Sequence, residues 1–259
     1  MFKVRKIVSD NTKLIRNKSK EVTLPLSKED EELCEYLIEH LRISQNDEIN
    51  EEYGLRPGVG IAACQVGEFK KIFAMLVEME NETIEHVFVN PKIVSESVSE
   101  AYLMGGEGCL SVEKEHEGYI YRKFFVTIEG YDYLTKSNIR KKFRGYPAIV
   151  VQHEMDHFNG VLYYDHINKE NPFQENRRTS NKVIAIYKGK VFDIVAAVEK
   201  KKEPVTKFCN IPLAEYCNNN LLDDECMTIL PNPQENLKED FMDYFFHNAN
   251  AISLSKREV

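Results

Sequence analysis

Residues 152–157 read Q-H-E-M-D-H and contain the H-E-x-x-H pattern, the part of this sequence best suited to chemistry. Side chains four positions apart lie on one face of a helix, so His153 and His157 can bind a single metal ion. Glu154 then lies where a carboxylate can take a proton from a water molecule at that metal. The pattern therefore predicts a hydrolytic metal site.

The residues on either side favour a helix over this motif. Pro147 suits a first helical turn, and the N-G pair at 159–160 is typical of a helix end. Five-residue patterns also arise by chance, so the motif alone is equally compatible with two surface or core histidines. A third ligand decides the matter, because catalytic zinc-type sites use three protein ligands and keep one position open.

Downstream of the motif, neither of two known arrangements supplies that ligand. A thermolysin-like peptidase would bring a glutamate from a second helix, and a metzincin would have a histidine at position 163, which is Tyr. Upstream, residues 105–111 read G-G-E-G-C-L-S, a glycine-rich turn that presents Cys109. A thiolate there would complete a Cys-His-His site.

A further segment, residues 58–65, reads G-V-G-I-A-A-C-Q. Taken alone it is weak, since Gly-x-Gly followed by small residues is common in tight turns and close packing. It is not a dinucleotide fingerprint, because no strand clearly precedes it and residues 51–57 are predicted to be loop.

In this order and at these separations, the three segments resemble the signature motifs of the peptide deformylases. Residues 53–57 and 145–151 are similar to the branch common in Gram-positive bacteria and their wall-less relatives. The resemblance covers roughly residues 1–190. It implies a bacterial metal-dependent hydrolase that removes the N-formyl group from formyl-methionine at the N-terminus of newly made polypeptides and releases formate.

The resemblance also implies the ligands and the ion. Cys109, His153 and His157 are expected to hold one ion per chain, Fe(II) in the native enzyme, with Zn, Ni or Co able to substitute. Spacing does not distinguish these metals. Ligand softness by itself would suit zinc, so the iron assignment rests on the resemblance.

Catalytic roles follow from the same resemblance. Glu154 is expected to act as general base and then as general acid. The Gln65 side-chain amide and the Leu110 backbone N–H are expected to donate to the oxyanion. Glu107 and Arg122 match positions that form an ion pair supporting the Cys-bearing turn, with a solvated surface pair as the alternative.

The resemblance also implies which residues bind substrate. Helical periodicity alone would assign two of them, Ile149 and Val150, to the ordinary hydrophobic core. The Gly60 carbonyl is expected to align the substrate backbone, because glycine lets an extended peptide approach closely. The residues expected to bind substrate are Val59, Gly60, Tyr146, Ile149 and Val150.

Two positions depart from the family pattern. Cys64 stands where proline is usual before the glutamine, and Tyr121 stands where proline often precedes the arginine. Neither is a ligand or catalytic group, so only local backbone changes are expected.

The elements that must position these residues can also be predicted. The sequence S-K-E-D at 27–30 is typical of a helix start, and Leu33, Leu37 and Leu41 predict an amphipathic helix over 28–45. This order of elements predicts an α+β fold with mostly antiparallel sheets packed around a central metal-binding H-E-x-x-H helix. Strands are predicted at 71–78, 85–89, 124–131 and 139–143, with a hairpin turn at 80–82.

Composition narrows the function classes. The chain has 259 residues with 34 basic against 42 acidic, a net charge of −8, which argues against broad nucleic-acid binding. No apolar signal segment follows Met1, and the longest apolar runs are too short to span a membrane. The six cysteines show no disulfide framework, so a reducing, cytoplasmic location is expected.

The sequence predicts a catalytic domain at 1–203 and an extension at 204–259, to which it assigns no role and which can be partly disordered. The K-K-K-E-P sequence at 200–204 is the predicted boundary. The spacing of the cysteines at 209, 217 and 226 matches no zinc module. The apolar cluster at 241–246 is either a docking helix or an apolar tail prone to non-specific association. Expected partners are nascent formyl-methionyl polypeptides and, transiently, the ribosome, although no basic C-terminal docking helix is evident.

Two rival functions are weighed. One is a peptidase that cuts internal peptide bonds. The expected Cys ligand and the lack of a third ligand downstream of the motif argue against it. The other is an inactive, deformylase-like binding protein, against which stand the intact Gln65, Leu110 and Glu154.

Overall fold

The computed structural model describes residues 2–79, 82–103 and 105–174, together with five two-residue strands further along the chain. Within these ranges the α-helices are α1 Lys28–Ser44, α2 Asp47–Tyr53 and α3 Tyr146–His157, and the 3-10 turns are Lys13–Arg16, Ala63–Val66 and Tyr163–His166. The first seven strands are β1 Gly60–Ala62, β2 Ile72–Met79, β3 Thr83–Glu96, β4 Glu100–Ala101, β5 Arg122–Lys123, β6 Phe125–Asp132 and β7 Ser137–Arg144. The two-residue strands are β8 Asn181–Lys182, β9 Lys190–Val191, β10 Ala196–Ala197, β11 Lys207–Phe208 and β12 Ile211–Pro212.

The main sheet is antiparallel in the order β1-β2-β3-β6-β7, and β9 pairs parallel with β2. Smaller two-stranded sheets pair β4 with β5, β8 with β10, and β11 with β12. Three predicted strands are confirmed with ends within two residues: β2, β6 and β7. β3 is longer than the predicted 85–89, because it continues past Pro91 through a register shift between Val89 and Lys92.

α1 covers one face of this sheet, as its leucine spacing predicts. The Ser27 side chain accepts a hydrogen bond from the Asp30 N–H and caps the helix start. Leu33, Leu37 and Leu41 are each no more than 2 % exposed and belong to the core cluster on this side of the sheet. The helix prediction is confirmed, with its end one residue earlier than expected.

α3 packs on the opposite face and carries the H-E-x-x-H sequence. Gly145 starts the helix with φ 59° and ψ −131°, a conformation that glycine adopts without strain, and Pro147 lies in the first turn. Phe73, Met75 and Phe88 of the sheet belong to the buried core on this side. The α+β prediction of mostly antiparallel strands packed with helices is therefore confirmed.

One local prediction was wrong, and one strand was not predicted. Residues 51–57 were predicted to be loop, but 51–53 lie in α2, which Asn46 caps at its start and Gly54 ends with φ 61°. This helix is seven residues long and has no buried residue, so no hydrophobic periodicity marks it. The segment Gly60–Ala62 was not predicted to be a strand, yet it forms β1 against β2, because a three-residue run is too short to show alternation.

Several predictions concern residues outside the described part of the chain. These are positions 80 and 81 of the predicted hairpin turn, cysteines 209, 217 and 226, and the apolar cluster at 241–246. The strand pairing on both sides of that turn does form a hairpin between β2 and β3. Among the described residues, none of the helices combines the length and apolar character needed to cross a bilayer.

A pair of glycines tests how the N-terminal segment is held against the end of α3. Gly160 has φ 69°, and an added Cβ would collide with the backbone of Arg16. Gly54 has φ 61°, and a Cβ added to it would have no neighbouring atom within 4 Å. We expect Gly54→Ala to lower the free energy of unfolding by about 1–2 kcal/mol through backbone strain, and Gly160→Ala to lower it by about 1–3 kcal/mol more through the collision. Urea unfolding of both variants measures the difference, and equal losses would show that the contact with Arg16 is unimportant.

Candidate metal centre

Cys109, His153 and His157 come together in one buried cluster. Their ligand atoms all lie within 4.8 Å of one another. The Cys109 Sγ is 3.4 Å from the His157 Nε2, and the two imidazole ring centroids are 5.1 Å apart. The histidines come from α3, whereas Cys109 lies in the irregular segment between β4 and β5.

These residues fit a transition-metal ion. A thiolate and two imidazoles form a donor set typical of zinc or iron, with one position left for water. The His153 Nδ1 is 2.8 Å from the Glu107 Oε2, which leaves Nε2 as its ligand atom. Glu154 Oε2 is buried beside this group and has no hydrogen-bond partner within the described part of the chain.

The protonation of the two histidines differs. Burial, together with the positive charge of His153, holds the pKa of His157 well below its usual value, so His157 is neutral and ready to bind metal. Burial alone would lower the pKa of His153, but hydrogen bonds to Cys109 and Glu107 outweigh it and hold that pKa well above the usual value. Histidine binds metals in its neutral form, so metal binding would release a proton from His153.

The turn that carries Cys109 is held by an arginine to which no role is assigned from the sequence. The Arg56 guanidinium donates to the backbone carbonyl of Cys109 and, at 3.1 Å, to that of Val112. Its signal in the sequence was its place in residues 53–57, a segment similar to one branch of the deformylases, and that similarity assigned no role to the arginine. The contact joins that loop to the cysteine turn.

Gln65 points its amide group at the cysteine ligand. It lies in the 3-10 turn Ala63–Val66, and its Oε1 accepts from the Ala62 N–H at 2.8 Å. This contact assigns the amide orientation and directs Nε2 at the Cys109 Sγ, 3.5 Å away. Leu110 follows Cys109 directly and is half-buried. The structure thus brings both predicted oxyanion donors next to the cluster.

Glu154 is buried on α3, and burial raises its pKa to about 7 against the opposing charges of His153 and Arg122. A carboxylate with a pKa near neutrality is well suited to both taking and returning a proton. An added Cβ on Gly60 would collide with the Glu154 carboxylate, approaching its Cδ to 2.8 Å. Gly60 therefore makes room for Glu154, a role that the sequence did not suggest.

Glu107 and Arg122 form a buried, two-point ion pair. Arg122 Nε is 2.5 Å from Glu107 Oε1 and Nη2 is 2.8 Å from Oε2, with both side chains 4 % exposed. Burial alone would raise the pKa of Glu107, but the charge of Arg122 outweighs it and lowers that pKa to about 2. The geometry differs from that of a solvated surface pair.

Asp156 also takes part in this buried ion-pair network, and the sequence analysis did not predict it. It lies between the two histidines of the motif, and its Oδ2 accepts from Arg122 Nη1 at 2.7 Å. The signal available in the sequence was an acidic residue between the two histidines of the motif, three positions after His153. That spacing did not indicate which cation Asp156 would meet.

The residues predicted to bind substrate lie together near the cluster. Tyr146, Ile149 and Val150 are buried on α3 in the same core cluster as Cys109, and Val59 is half-buried against that cluster. Their contact with substrate stays a prediction.

A family comparison bears directly on this site. The polypeptide deformylase family model matches residues 4–173, a range that contains every residue assigned above. The chain belongs to the polypeptide deformylase family. Its members are metal-dependent, in agreement with the Cys-His-His cluster.

Curated relatives and solved structures are similar to this chain over the same part. The peptide deformylase of Lacticaseibacillus casei is 49% identical over 177 residues, covering 67% of this chain and 95% of the relative. That of Listeria monocytogenes is 47% identical over 173 residues, covering 66% and 94%. The Ehrlichia chaffeensis peptide deformylase structure has a TM-score of 0.52 at 28% identity, covering 65% of this chain and 90% of that one. A Met-Ala-Ser-bound peptide deformylase from Acinetobacter baumannii has a TM-score of 0.51 at 27% identity, covering 64% and 100%.

The two departures from the deformylase pattern each make a hydrogen bond to backbone. The Cys64 thiol is fully buried and donates to the His157 carbonyl at 3.6 Å. The Tyr121 hydroxyl donates to the Gln174 carbonyl at 2.6 Å. Neither side chain is one of the metal ligands.

The close approach of β1 to α3 yields a test of Gly60. We expect Gly60→Ala to displace the Glu154 carboxylate and to lower kcat for deformylation by about 10- to 100-fold, because a displaced base loses only part of the roughly 100- to 10,000-fold that general acid–base catalysis supplies. The bound metal should stay, because no ligand moves. Formate release and metal content measure both effects.

Gly58→Ala serves as the matched control for this substitution. Its Cβ would meet the flexible end of the Leu110 side chain at 3.2 Å, so the loss should be smaller. Turnover of Gly60→Ala within about twofold of the wild type would contradict the close approach of Gly60 to Glu154.

Proposed function

We propose that the Cys109–His153–His157 site removes the N-formyl group from formyl-methionine at the N-terminus of newly made polypeptides, releasing formate. Family membership supports this reaction class. The observation that carries the proposal for the site is the buried Glu154 carboxylate beside three converging ligand atoms. A general base next to a metal with an open position is the arrangement that such a hydrolysis needs.

In the proposed mechanism, a metal at this site supplies Lewis acidity, which lowers the pKa of water and polarises a carbonyl group. Glu154 takes the proton from the attacking water. It then returns that proton to the departing amine as the formyl C–N bond breaks. The pKa of about 7 that burial gives Glu154 suits both transfers near neutral pH.

Charge that develops on the formyl oxygen is met by two proposed donors. The first is the Gln65 amide, whose Nε2 already faces the Cys109 Sγ. The second is the backbone N–H of Leu110. Loss of one such donor typically lowers the rate by about 100- to 1,000-fold.

The remaining assignments concern substrate binding and the orientation of the ligand His153. We assign the methionine pocket to Val59, Tyr146, Ile149 and Val150, and we assign alignment of the substrate backbone to the Gly60 carbonyl. The pair of Glu107 and Arg122 is assigned to orient His153, since the Glu107 carboxylate accepts from its Nδ1.

We further propose Fe(II) as the resident ion, with Zn, Ni or Co able to replace it. This choice rests on similarity to the family, because a Cys-His-His donor set by itself also suits zinc. Since the substrates emerge during translation, we propose a cytoplasmic location and transient contact with the ribosome.

Replacement of the proposed base tests the function. We expect Glu154→Gln to keep its metal and to lose about 100- to 10,000-fold in kcat, because the amide cannot accept the proton. Formate release from formyl-Met-Ala-Ser and metal analysis on the same anaerobic sample measure both. Glu48→Gln removes an exposed carboxylate on α2 and should behave as the wild type.

The outcomes of that experiment separate the rival functions. Cleavage of an unformylated peptide by the wild type would indicate a peptidase, and a metal-loaded wild type without formate release would indicate a binding protein. Turnover of Glu154→Gln within a few-fold of the wild type would exclude the proposed role of Glu154. Zinc rather than iron in the anaerobic sample would contradict the metal assignment alone.

We propose that residues 204–259 are dispensable for catalysis, because every assigned group lies between positions 59 and 157. We expect a chain truncated after Glu203 to keep its turnover of formyl-Met-Ala-Ser. Its melting temperature reports packing of the extension, since each kcal/mol corresponds to about 2–4 °C for a domain of this size. A folded truncation without turnover would show that the extension shapes the site.

A further inference from the structure

The ion pair of Glu107 and Arg122 continues outward to the protein surface. Arg122 Nη1 donates to Asp156 Oδ2 at 2.7 Å, and His166 Nε2 lies 2.7 Å from the same oxygen. The side chains become more exposed along this path, from 4 % for Arg122 to 25 % for Asp156 and 39 % for His166. A continuous row of polar contacts therefore leads from inside the core to a half-exposed imidazole.

At its inner end the same row reaches a proposed metal ligand. Glu107 Oε2 accepts from Arg122 Nη2 and lies 2.8 Å from His153 Nδ1. Four contacts thus join His166 to His153 through two carboxylates and one guanidinium. His166 is nine positions beyond His157 and contacts neither histidine of the motif.

The charges along the row explain why an outer donor is needed. A single guanidinium, Arg122, lies between the carboxylates of Glu107 and Asp156, and Glu107 has His153 as its second partner, so Asp156 at the outer end needs a second donor of its own. Asp156 Oδ2 has two donors, and one of them is His166. Since an ionised carboxylate only accepts, this geometry assigns the Nε2–H form to His166.

We propose that His166 is a positioning residue for the metal centre. Its N–H holds the Asp156 carboxylate on Arg122, and Arg122 in turn holds Glu107 on the His153 ring. Hydrogen-bond partners of metal-binding histidines fix the ring orientation and raise metal affinity. The inference rests on the proposed function only in taking His153 as a ligand, and metal affinity tests it independently of deformylation.

Two substitutions separate hydrogen bonding from packing. His166→Phe keeps a flat ring and removes the donor, whereas His166→Gln keeps an N–H at a similar distance from the backbone. Direct partners of metal-binding histidines change metal affinity by about 10- to 100-fold, so His166, three contacts beyond the direct partner Glu107, should change it by about 3- to 10-fold. We expect that loss for His166→Phe and an affinity within about twofold of the wild type for His166→Gln.

Chelator competition on the cobalt- and nickel-loaded full chain measures these affinities. The cobalt visible spectrum adds a signature of the Cys-His-His geometry that packing alone would not change. His116→Phe is the matched control, because His116 is also an exposed histidine and stacks on Tyr164 with ring centroids 4.2 Å apart. It should leave the affinity and the spectrum unchanged.

A double substitution shows whether the effect passes through Asp156. Asp156→Asn keeps the shape and weakens the acceptor, so combining it with His166→Phe should lose little beyond Asp156→Asn alone. Additive losses would contradict the proposed path. The Asp156→Asn chain also provides the test if His166→Phe fails to fold, as judged by its melting temperature.

Two results would overturn the proposal. One is a folded His166→Phe chain with wild-type metal affinity and spectrum. The other is an equal loss in His166→Phe and His166→Gln, which would assign the effect to the imidazole ring rather than to its donor. Failure of the chain to release formate while His166→Phe still weakens metal binding would count against the proposed function and not against this network.

Discussion

The buried charge of Arg122 is the constraint on which the rest of the site depends. A guanidinium removed from water is costly unless its N–H groups meet acceptors, and here two carboxylates supply them. Arg122 lies on β5, Glu107 lies in the cysteine turn and Asp156 lies on α3. One cation therefore joins three elements, two of which carry the metal-ligand candidates.

The packing of α3 against β1 imposes a second constraint. Gly60 faces Glu154 so closely that a methyl group would collide with the carboxylate. The same packing excludes water from the carboxylate and raises its pKa to about 7. Close packing and the proton-transfer chemistry thus have a common physical origin, which is the burial of α3 between the sheet and the cysteine turn.

Local rules were enough for most of the fold. The serine cap and leucine spacing of α1, the strand patterns of β2, β6 and β7, and the proline in the first turn of α3 all act over a few residues, so they can be read from the chain. The i, i+4 spacing of His153 and His157 is local in the same sense. The search for a third ligand then pointed to Cys109 in its glycine-rich turn, and the family resemblance added Gln65 and Glu107, which no periodicity links to the histidines.

The sequence by itself determined the fold class, the motif on a helix and the reaction class of the family. Only the tertiary structure decided that Asp156 turns to Arg122, that Arg56 holds the cysteine turn, that Gly60 makes room for Glu154 and that His166 closes the polar row. The physical reason is sequence separation. Glu107 and His153 are 46 positions apart, and Arg56 and Cys109 are 53 apart, so these contacts form only when the elements carrying them pack together. Spacing along the chain carries no signal of such a meeting, because packing geometry sets it.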